Sequence, residues 1–334
     1  MVTGASGQVG VDVLDVLAGR TPLGGDPLYQ PDARVIANDE FDVLGLSHHE
    51  LDVSDPGAVR RAVGGARPDV IVHLAAYTAV DRAQIEEDLC FAVNAAGTEA
   101  MSLAAKEFGA HLISISTDYV FDGNKGASYV EDDVTNPLNV YGASKRAGEL
   151  LCSSEDTIVR TSWVMGVRGK NVVHVIAERA ASGANVRFVN DQTGTVTVAS
   201  DLARAIATFV RERPGGIWHV ANEGTTTWFD VAHFVGELCG RGDDFATAIA
   251  TSELDPPPLA VRPIRSDLAT EKFAGAWQRM PAWRDGVARL VRDRGALVKE
   301  RSCATWRRTS RRLSSTSTPA QRSTTVLTRS TTMA

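Results

Sequence analysis

Tyr141 and Lys145 stand four positions apart in the segment Tyr-Gly-Ala-Ser-Lys, where a helical pattern begins. In a helix this spacing places both side chains on one face. A phenol with a pKa of about 10 is a poor proton-transfer group at neutral pH, and a neighbouring ammonium group lowers that pKa by stabilising the phenolate. The pair therefore predicts acid–base catalysis in which Tyr141 transfers a proton and Lys145 assists it.

Thr117 closes an apolar, strand-like run in the segment Ser-Ile-Ser-Thr-Asp, over 114–118. Sheets of α/β proteins bind their ligands in the crevice outside the carboxyl ends of the strands. A hydroxyl at this position is suited to hydrogen-bond a substrate carbonyl oxygen. The alternative is a threonine that satisfies backbone groups where the strand ends. Together with the tyrosine and the lysine, Thr117 completes the predicted catalytic set.

Three glycines, Gly4, Gly7 and Gly10, are spaced G-x-x-G-x-x-G where another helical pattern begins. Glycine permits a tight bend from strand to helix and lets the backbone approach a diphosphate closely. The free N–H groups at the start of the helix then face the anion. The spacing predicts a dinucleotide-binding turn, and the alternative is a turn of purely structural value.

The residue that meets the adenosine ribose of such a dinucleotide follows the second strand. If this strand covers 42–46, the position is Ser47, followed by two histidines, and no carboxylate stands there to repel a 2′-phosphate. If it covers 34–37 instead, Asp39 falls near the site and favours NADH. The first register is preferred because it leaves residues 52–53 at a suitable distance to flank the adenine. We therefore predict NADPH as the cofactor, with NADH as the alternative.

Short apolar runs alternate with longer amphipathic stretches over the first 160 residues. The strand-like runs cover 42–46, 69–74, 111–115 and 157–160, and the helix-like stretches cover 8–17, 57–63, 88–108 and 144–152. This alternation predicts an α/β fold with a parallel sheet covered on both faces, in a dinucleotide-binding domain over 1–160. Over 161–298 we expect a smaller substrate-binding part, interleaved with the first, with helices over 171–182 and 227–238 and one more strand over 215–220.

Charge is unevenly distributed along the 334 residues. The net charge is −6, yet residues 301–334 hold seven arginines and no acidic residue, which leaves 28 basic against 41 acidic residues in 1–300. An acidic body argues against a broad nucleic-acid-binding face. The Ser/Thr/Arg-rich segment 299–334 lacks apolar periodicity and is predicted to be disordered.

Other features of the chain bear on its location and on metal binding. No apolar run approaches the roughly 20 residues that span a bilayer, and the N-terminal residues lack the features of a signal peptide. The four cysteines are scattered without a CxxC pair, which argues against a structural zinc site or a disulfide framework. We therefore expect a cytoplasmic protein that holds no metal and has neither membrane nor nucleic acid as a partner.

Taken together, these motifs resemble the dTDP-4-dehydrorhamnose reductase family of the extended short-chain dehydrogenase/reductase superfamily. The likeness runs over roughly residues 2–290 and is most specific in Ser-Thr-Asp-Tyr-Val-Phe (116–121) and Ala-Tyr-Thr-Ala-Val-Asp (76–81). Further matching segments are 4–10, 69–81, 93–95, 137–145, 160–164, 190–194 and 262–263. The chain departs from the family pattern in its short first strand, in an insertion over 21–40 and in Gln84, where the family often has Glu.

The resemblance implies a Rossmann-like, doubly wound sheet and specific roles for the matching residues. With Ser47, the cofactor-binding set is Gly4, Gly7, Gln8, Val9, Gly10, Asp52, Val53, Ala75, Ala76, Tyr77, Tyr141 and Lys145. The catalytic set is Thr117, Tyr141 and Lys145, and the substrate-binding set is Thr117, Asp118, Trp163, Gln192 and Arg262. For Trp163 the alternative is an ordinary core position, and for Arg262 it is a surface ion pair.

The implied activity is the NAD(P)H-dependent reduction of the 4-keto group of dTDP-4-dehydro-L-rhamnose to dTDP-L-rhamnose, a step of nucleotide-sugar biosynthesis. A second interpretation is a 4-ketoreductase of another dTDP-deoxysugar, and a third is a non-catalytic, nucleotide-binding regulatory subunit of the same fold. The intact set of Thr117, Tyr141 and Lys145 argues against the third, because a pure scaffold does not need it. A homodimer is a further expectation.

Overall fold

Strands and helices alternate along the computed structural model, which describes residues 1–26, 29–31 and 40–295. The strands of these residues are β1 (Val2–Thr3), β2 (Gly45–Leu46), β3 (Val70–His73), β4 (His111–Thr117), β5 (Thr157–Thr161), β6 (Val164–Met165), β7 (Val186–Val189), β8 (Thr193–Thr195), β9 (Thr197–Val198), β10 (Gly216–His219), β11 (Thr225–Thr227) and β12 (Ala246–Ile249). The helices are α1 (Gln8–Leu17), α2 (Pro56–Ala66), α3 (Val80–Ala83), α4 (Glu87–Phe91), α5 (Gly97–Phe108), α6 (Val140–Leu151), α7 (Val172–Ala181), α8 (Ala199–Glu212), α9 (Trp228–Leu238) and α10 (Glu271–Ala276), and one more helix begins at residue 283. The segment 299–334, predicted to be disordered, and the alternative second strand over 34–37 with Asp39 lie outside the described residues.

Six parallel strands form the central sheet, in the order β10-β5-β4-β3-β1-β2. Val2 of β1 pairs with Gly45 on one side and with Val72 on the other, so β2, which covers the last two residues of the strand preferred from the sequence over 42–46, is the neighbour of β1. After β1 the chain builds outward to β2 and then returns to add β3 on the other side of β1. The sheet is therefore doubly wound, and its order reverses between β1 and β3, which is where such sheets bind ligands.

Most of the predicted helices are present, with bounds that differ by no more than about one turn. The helix expected over 88–108 is present as an uninterrupted helical run, but it contains one irregular turn. This stretch is divided into α4, a π-helical turn over Ala92–Ala96 and α5. The turn takes one more residue than an α-helical turn, and the polar side chain of Asn94 within it is buried.

The part of the chain after residue 160 contributes to the central sheet as well as to smaller structures. Its strand β10 pairs with β5, and its helix α8 packs on α1, where residues 199–210 are buried. The remaining strands form three two-stranded pairs, β11-β8, β12-β7 and β6-β9. Residues 1–294 make up one compact unit, in which no described helix has the length and apolar character needed to cross a bilayer.

Candidate active site

A cavity of about 970 Å³ opens at the carboxyl ends of the central strands, at the point where the strand order reverses. The loops that follow β1, β3, β4 and β5 supply much of its lining. Fifteen of the predicted site residues line it, namely Gly4, Gly7, Gln8, Val9, Gly10, Asp52, Val53, Ala75, Ala76, Tyr77, Thr117, Asp118, Tyr141, Lys145 and Trp163. Ser47, Gln192 and Arg262 do not line it.

The glycine turn leaves no room for larger side chains. Gly4 has a φ of +65°, and a β-carbon built on it would lie 2.8 Å from the backbone nitrogen of Ala75. A β-carbon on Gly10 would lie 2.3 Å from the carbonyl oxygen of Gly4. No side chain caps the start of α1, where Gly7 is the N-cap, so its first N–H groups are left to other acceptors. These residues fit the diphosphate of a dinucleotide.

Ser47 directly follows β2 and binds the side-chain carboxylate of Glu50. Its backbone N–H and its hydroxyl both donate to Oε2 of Glu50, at 2.7 and 2.8 Å. These hydrogen bonds lower the pKa of Glu50, so the carboxylate is charged at neutral pH. The prediction that no carboxylate stands at this position is therefore wrong. The Ser-x-x-Glu spacing, which lets a side chain return to the backbone three residues earlier, was the signal for it. His48, next along the chain, lines the cavity.

The three predicted catalytic residues come together where α6 meets the end of β4. Asn139 begins α6, since its side chain accepts a hydrogen bond from the N–H of Gly142 at 2.8 Å. Lys145, one turn further along, donates from Nζ to the carbonyl oxygen of Ile115 at 2.8 Å. Thr117 lies two residues after Ile115 in β4, where its hydroxyl accepts from the N–H of Tyr119 at 3.2 Å and lines the same cavity as Tyr141.

Burial controls the protonation of the two titratable groups in this set. It raises the pKa of Tyr141 above its ordinary value, and the opposing influence comes from the neighbouring Thr117 hydroxyl rather than from the charge of Lys145. The prediction that Lys145 lowers the pKa of the Tyr141 phenol is therefore wrong. Burial lowers the pKa of Lys145 to about 8, against the influence of the Glu149 carboxylate. Tyr141 is consequently a neutral phenol at neutral pH and is able to donate a proton.

Asp118 follows Thr117 directly and is buried beside it. Its carboxylate accepts hydrogen bonds from the hydroxyls of Thr117 at 3.0 Å and Ser266 at 2.5 Å. Burial nevertheless raises the pKa of Asp118 to about 7. Near neutral pH this carboxyl group is suited both to accept a hydrogen bond from a sugar hydroxyl and, when protonated, to donate one.

Trp163 forms a wall of the cavity in an unusual backbone conformation. Its φ is +41°, in the left-handed region that costs a non-glycine residue free energy. The indole stacks on Trp228, with ring centroids 4.0 Å apart and planes 15° apart. A β-carbon on Gly194 would lie 2.7 Å from this indole, so only glycine fits beneath it. The ring is held in place against both neighbours while it faces the cavity.

Gln192 and Arg262 are engaged with protein groups outside the lining. Gln192 donates to the hydroxyl of Thr251 at 2.9 Å. Both terminal nitrogens of Arg262 bind the carboxylate of Asp81, at 2.6 and 2.7 Å. This hydrogen bonding lowers the pKa of Asp81 to about 2. Arg262 thus forms an ion pair, which is the alternative given for it in the sequence analysis. The roles of Gln192 and Arg262 in binding a nucleotide diphosphate stay predictions.

Asn94 is a positioning residue whose role was not predicted. Its side-chain oxygen accepts from the N–H of Tyr77 at 2.8 Å, and its side-chain nitrogen donates to the carbonyl oxygen of Tyr77 at 3.0 Å and to the hydroxyl of Ser144 at 3.0 Å. One buried amide thereby joins the cavity loop after β3 to α6. The only signal for Asn94 in the sequence is that it lies in the segment 93–95, which matches the family. Hydrophobic periodicity does not reveal a π-helical turn.

Comparison with known proteins places the chain among sugar-nucleotide reductases. The family model described as the RmlD substrate binding domain matches residues 28–295. The dTDP-4-dehydrorhamnose reductase of Escherichia coli (strain K12) is 36% identical over 308 residues, which cover 88% of this chain and 97% of that protein. The probable dTDP-4,6-dihydroxy-2-methyloxan-3-one 4-ketoreductase of Streptomyces antibioticus is 35% identical over 300 residues, which cover 88% of this chain and 87% of that protein.

A solved structure agrees with these sequence matches. The crystal structure of dTDP-4-dehydrorhamnose reductase from Bacillus anthracis str. Ames in complex with NADP has a TM-score of 0.76 and 31% identity, over 86% of this chain and 96% of that one. The family model matches most of the chain, and the Escherichia coli reductase is matched over nearly its whole length. These matches establish the family. The chain belongs to the dTDP-4-dehydrorhamnose reductase family.

Proposed function

We propose that the chain reduces the 4-keto group of dTDP-4-dehydro-L-rhamnose to give dTDP-L-rhamnose, with NADPH as the reductant and NADH as the alternative. The observation that carries the proposal is the convergence of Thr117, Tyr141 and Lys145 on the cavity that the glycine turn also lines. The substrate class follows from the family, to which the reductase of Escherichia coli belongs. The cofactor follows from the fit of the glycine turn to a diphosphate.

The mechanism needs a proton donor and a group that stabilises charge at the carbonyl oxygen. When bound, the reduced nicotinamide supplies a hydride to the carbonyl carbon. Tyr141, kept neutral by burial, donates its phenolic proton to the oxygen as that atom becomes negative. The hydroxyl of Thr117, which donates to Asp118 in this structure, turns to the same oxygen. The ammonium group of Lys145, which lines the same cavity, holds the nicotinamide ribose.

The Tyr141→Phe variant tests this mechanism, because it removes the proton donor and keeps the ring. Turnover, followed as NADPH oxidation with dTDP-4-dehydrorhamnose, is expected to fall by about 10²–10⁴, the usual contribution of one positioned acid–base group. Affinity for NADPH is expected to remain. The matched control is Tyr129→Phe, which removes a hydroxyl bonded to Asp122 outside the cavity lining and is expected to keep full turnover. Near-normal turnover of Tyr141→Phe contradicts the mechanism.

A second candidate is the reduction of another dTDP-4-keto-deoxysugar. The observation in its favour is the 35% identity to the 4-ketoreductase of Streptomyces antibioticus, a value close to that for the Escherichia coli reductase. A panel of dTDP-4-keto-hexoses, ranked by kcat/KM with NADPH, separates the two candidates. The highest kcat/KM for a sugar other than dTDP-4-dehydro-L-rhamnose establishes the second.

The setting of the reaction is a further part of the proposal. We infer that the enzyme acts in the cytoplasm as a homodimer and binds neither nucleic acid nor membrane. The acidic balance of residues 1–300 supports the lack of nucleic-acid binding. The lack of a membrane-crossing helix among the described residues is consistent with a location away from the membrane. Cell fractionation and light scattering of the purified full chain test the location and the dimer.

A further inference from the structure

The segment between β6 and α7, residues 166–171, lies along α1, and we call it the strap. Two of its side chains bind that helix. Arg168 donates to the carboxylate of Asp15 at 2.7 Å and lies 3.6 Å from that of Asp12. Asn171 donates from Nδ2 to Oε1 of Gln8 at 3.1 Å. The strap is therefore attached to the helix that begins at the glycine turn, both at its first residue and further along.

Close packing fixes the strap against the start of α1. The side chain of Gln8 donates back to the carbonyl oxygen of Val164 at 3.1 Å. A β-carbon on Gly166 would lie 2.8 Å from Cγ of Gln8, and one on Gly169 would lie 3.6 Å from its Oε1. Asn171 also braces the strap internally, through a 2.7 Å hydrogen bond to the carbonyl oxygen of Gly166. These contacts hold residues 166–171 beside the turn that fits a diphosphate.

Lys170 belongs to the strap, is exposed to solvent and lines the cavity. Its ammonium group has no hydrogen-bond or ion-pair partner within the part of the chain that the structure describes. Among the lining residues, lysine or arginine occurs only as Lys145 and Lys170, and Lys145 already donates to Ile115. A dianionic diphosphate in this acidic protein therefore meets one unengaged cation beside the partial charge at the start of α1.

We propose that Lys170 binds the diphosphate of the nicotinamide dinucleotide, as a second positive group beside the glycine turn. The inference rests on the proposed function only in assigning a dinucleotide to this cavity. The cofactor diphosphate is favoured over that of the sugar nucleotide because the strap is attached to α1, whose N–H groups fit the former. A lysine acts here as a point charge on a flexible stem, without the need for bidentate geometry.

The test is a comparison of ligand affinities for Lys170→Met and the unmodified full chain, without turnover. Dissociation constants for NADPH, NADH and dTDP are measured by fluorescence titration or calorimetry. Both reduced cofactors are expected to bind about five- to tenfold more weakly to the variant, by the same factor, because both carry the diphosphate. Affinity for dTDP is expected to be unchanged. The cofactor difference shrinks as salt is added, since the charge is exposed.

Two further variants control for changes that do not depend on the charge in the cavity. Lys170→Arg retains the positive charge and is expected to restore most of the cofactor affinity. Lys106→Met removes a charge on α5, outside the cavity lining, and is expected to leave all three affinities unchanged. All variants are expected to keep the melting temperature of the unmodified chain, because both lysines are exposed.

Three results overturn the proposal. Weaker binding of NADPH alone places Lys170 at the 2′-phosphate. Weaker binding of dTDP, with both cofactors unaffected, places it at the sugar nucleotide. Unchanged affinities for all three ligands remove it from binding altogether. Failure of the proposed function is seen separately, as the absence of turnover of dTDP-4-dehydrorhamnose by the unmodified enzyme, and the cofactor titrations do not depend on that result.

Discussion

Gly142 follows the proposed proton donor Tyr141 in α6, and there is no space for a methyl group on it. A β-carbon at this position would lie 2.1 Å from the carbonyl oxygen of Tyr119 and 3.0 Å from its carbonyl carbon. Both atoms belong to backbone, in the short 3₁₀ turn over Asp118–Val120 that follows Thr117. In Gly142→Ala, either α6 or this turn must therefore move.

The size of the movement follows from the distances. Ordinary van der Waals contact begins at 3.4 Å, so relief of the 2.1 Å contact requires a shift of about 1.3 Å between residue 142 on α6 and the backbone of Tyr119. We expect the adjoining Tyr141 and Thr117 to be displaced with them. A misplacement of about 1 Å in a reacting geometry costs on the order of 100-fold in rate. Overpacking of this kind lowers the free energy of unfolding by about 1–3 kcal/mol. We expect a kcat/KM about 100-fold lower, with a fold that survives.

The assay combines NADPH oxidation with thermal unfolding of the same preparations. The matched control is Gly65→Ala in α2, where nothing lies within 4 Å of the added carbon. It is expected to leave turnover unchanged and to raise the free energy of unfolding by about 0.5–1 kcal/mol, since alanine favours a helix over glycine. Wild-type turnover and melting temperature in Gly142→Ala refute the argument that this contact sets the distance between Tyr141 and Thr117.

Three further predictions concern charge. Because the pKa of Lys145 is lowered to about 8, its ammonium group is present below that pH and lost above it, so kcat/KM for reduction falls as the pH rises through about 8; a flat profile contradicts this. Glu50→Gln is expected to raise the ratio of kcat/KM for NADPH to that for NADH several-fold, because it removes a negative charge beside Ser47, the predicted ribose position. The exposed control Glu155→Gln is expected to leave the ratio unchanged. Burial raises the pKa of Asp12 from 3.8 to about 7, so its contribution to the free energy of unfolding is present below pH 3.8 and lost as the pH rises through 7. Asp12→Asn is therefore expected to have a higher melting temperature than the unmodified chain at about pH 8, by a margin that shrinks toward about pH 4.

The features predicted correctly from the sequence are those that local pattern determines. Buried parallel strands are short apolar runs, so β3, β4 and β5 were visible directly. The four-residue spacing of Tyr141 and Lys145 and the strand-end position of Thr117 were sufficient to bring these three residues to one cavity.

The features that were missed depend on contacts between distant segments or on burial. Trp163 and Trp228 stack although no spacing links them, and Arg262 binds Asp81 across a long stretch of chain. The pKa of Tyr141 was expected to be lowered by its neighbour. Burial, which depends on the whole packed structure, reverses that expectation.

The π-helical turn over Ala92–Ala96 has a consequence for the tolerated length of this stretch. Each residue of an α-helix advances the chain by about 100° around the helix axis. The additional residue in this turn therefore sets the direction in which the side chains of α4 point relative to those of α5. Deletion of one residue from 92–96 allows α4 and α5 to merge into a regular helix with better backbone hydrogen bonding. It also rotates one half of that helix and separates Asn94 from either Tyr77 or Ser144. The number of residues in this stretch is therefore constrained by the cavity loop that Asn94 holds. A deletion that makes the helix more regular impairs the site.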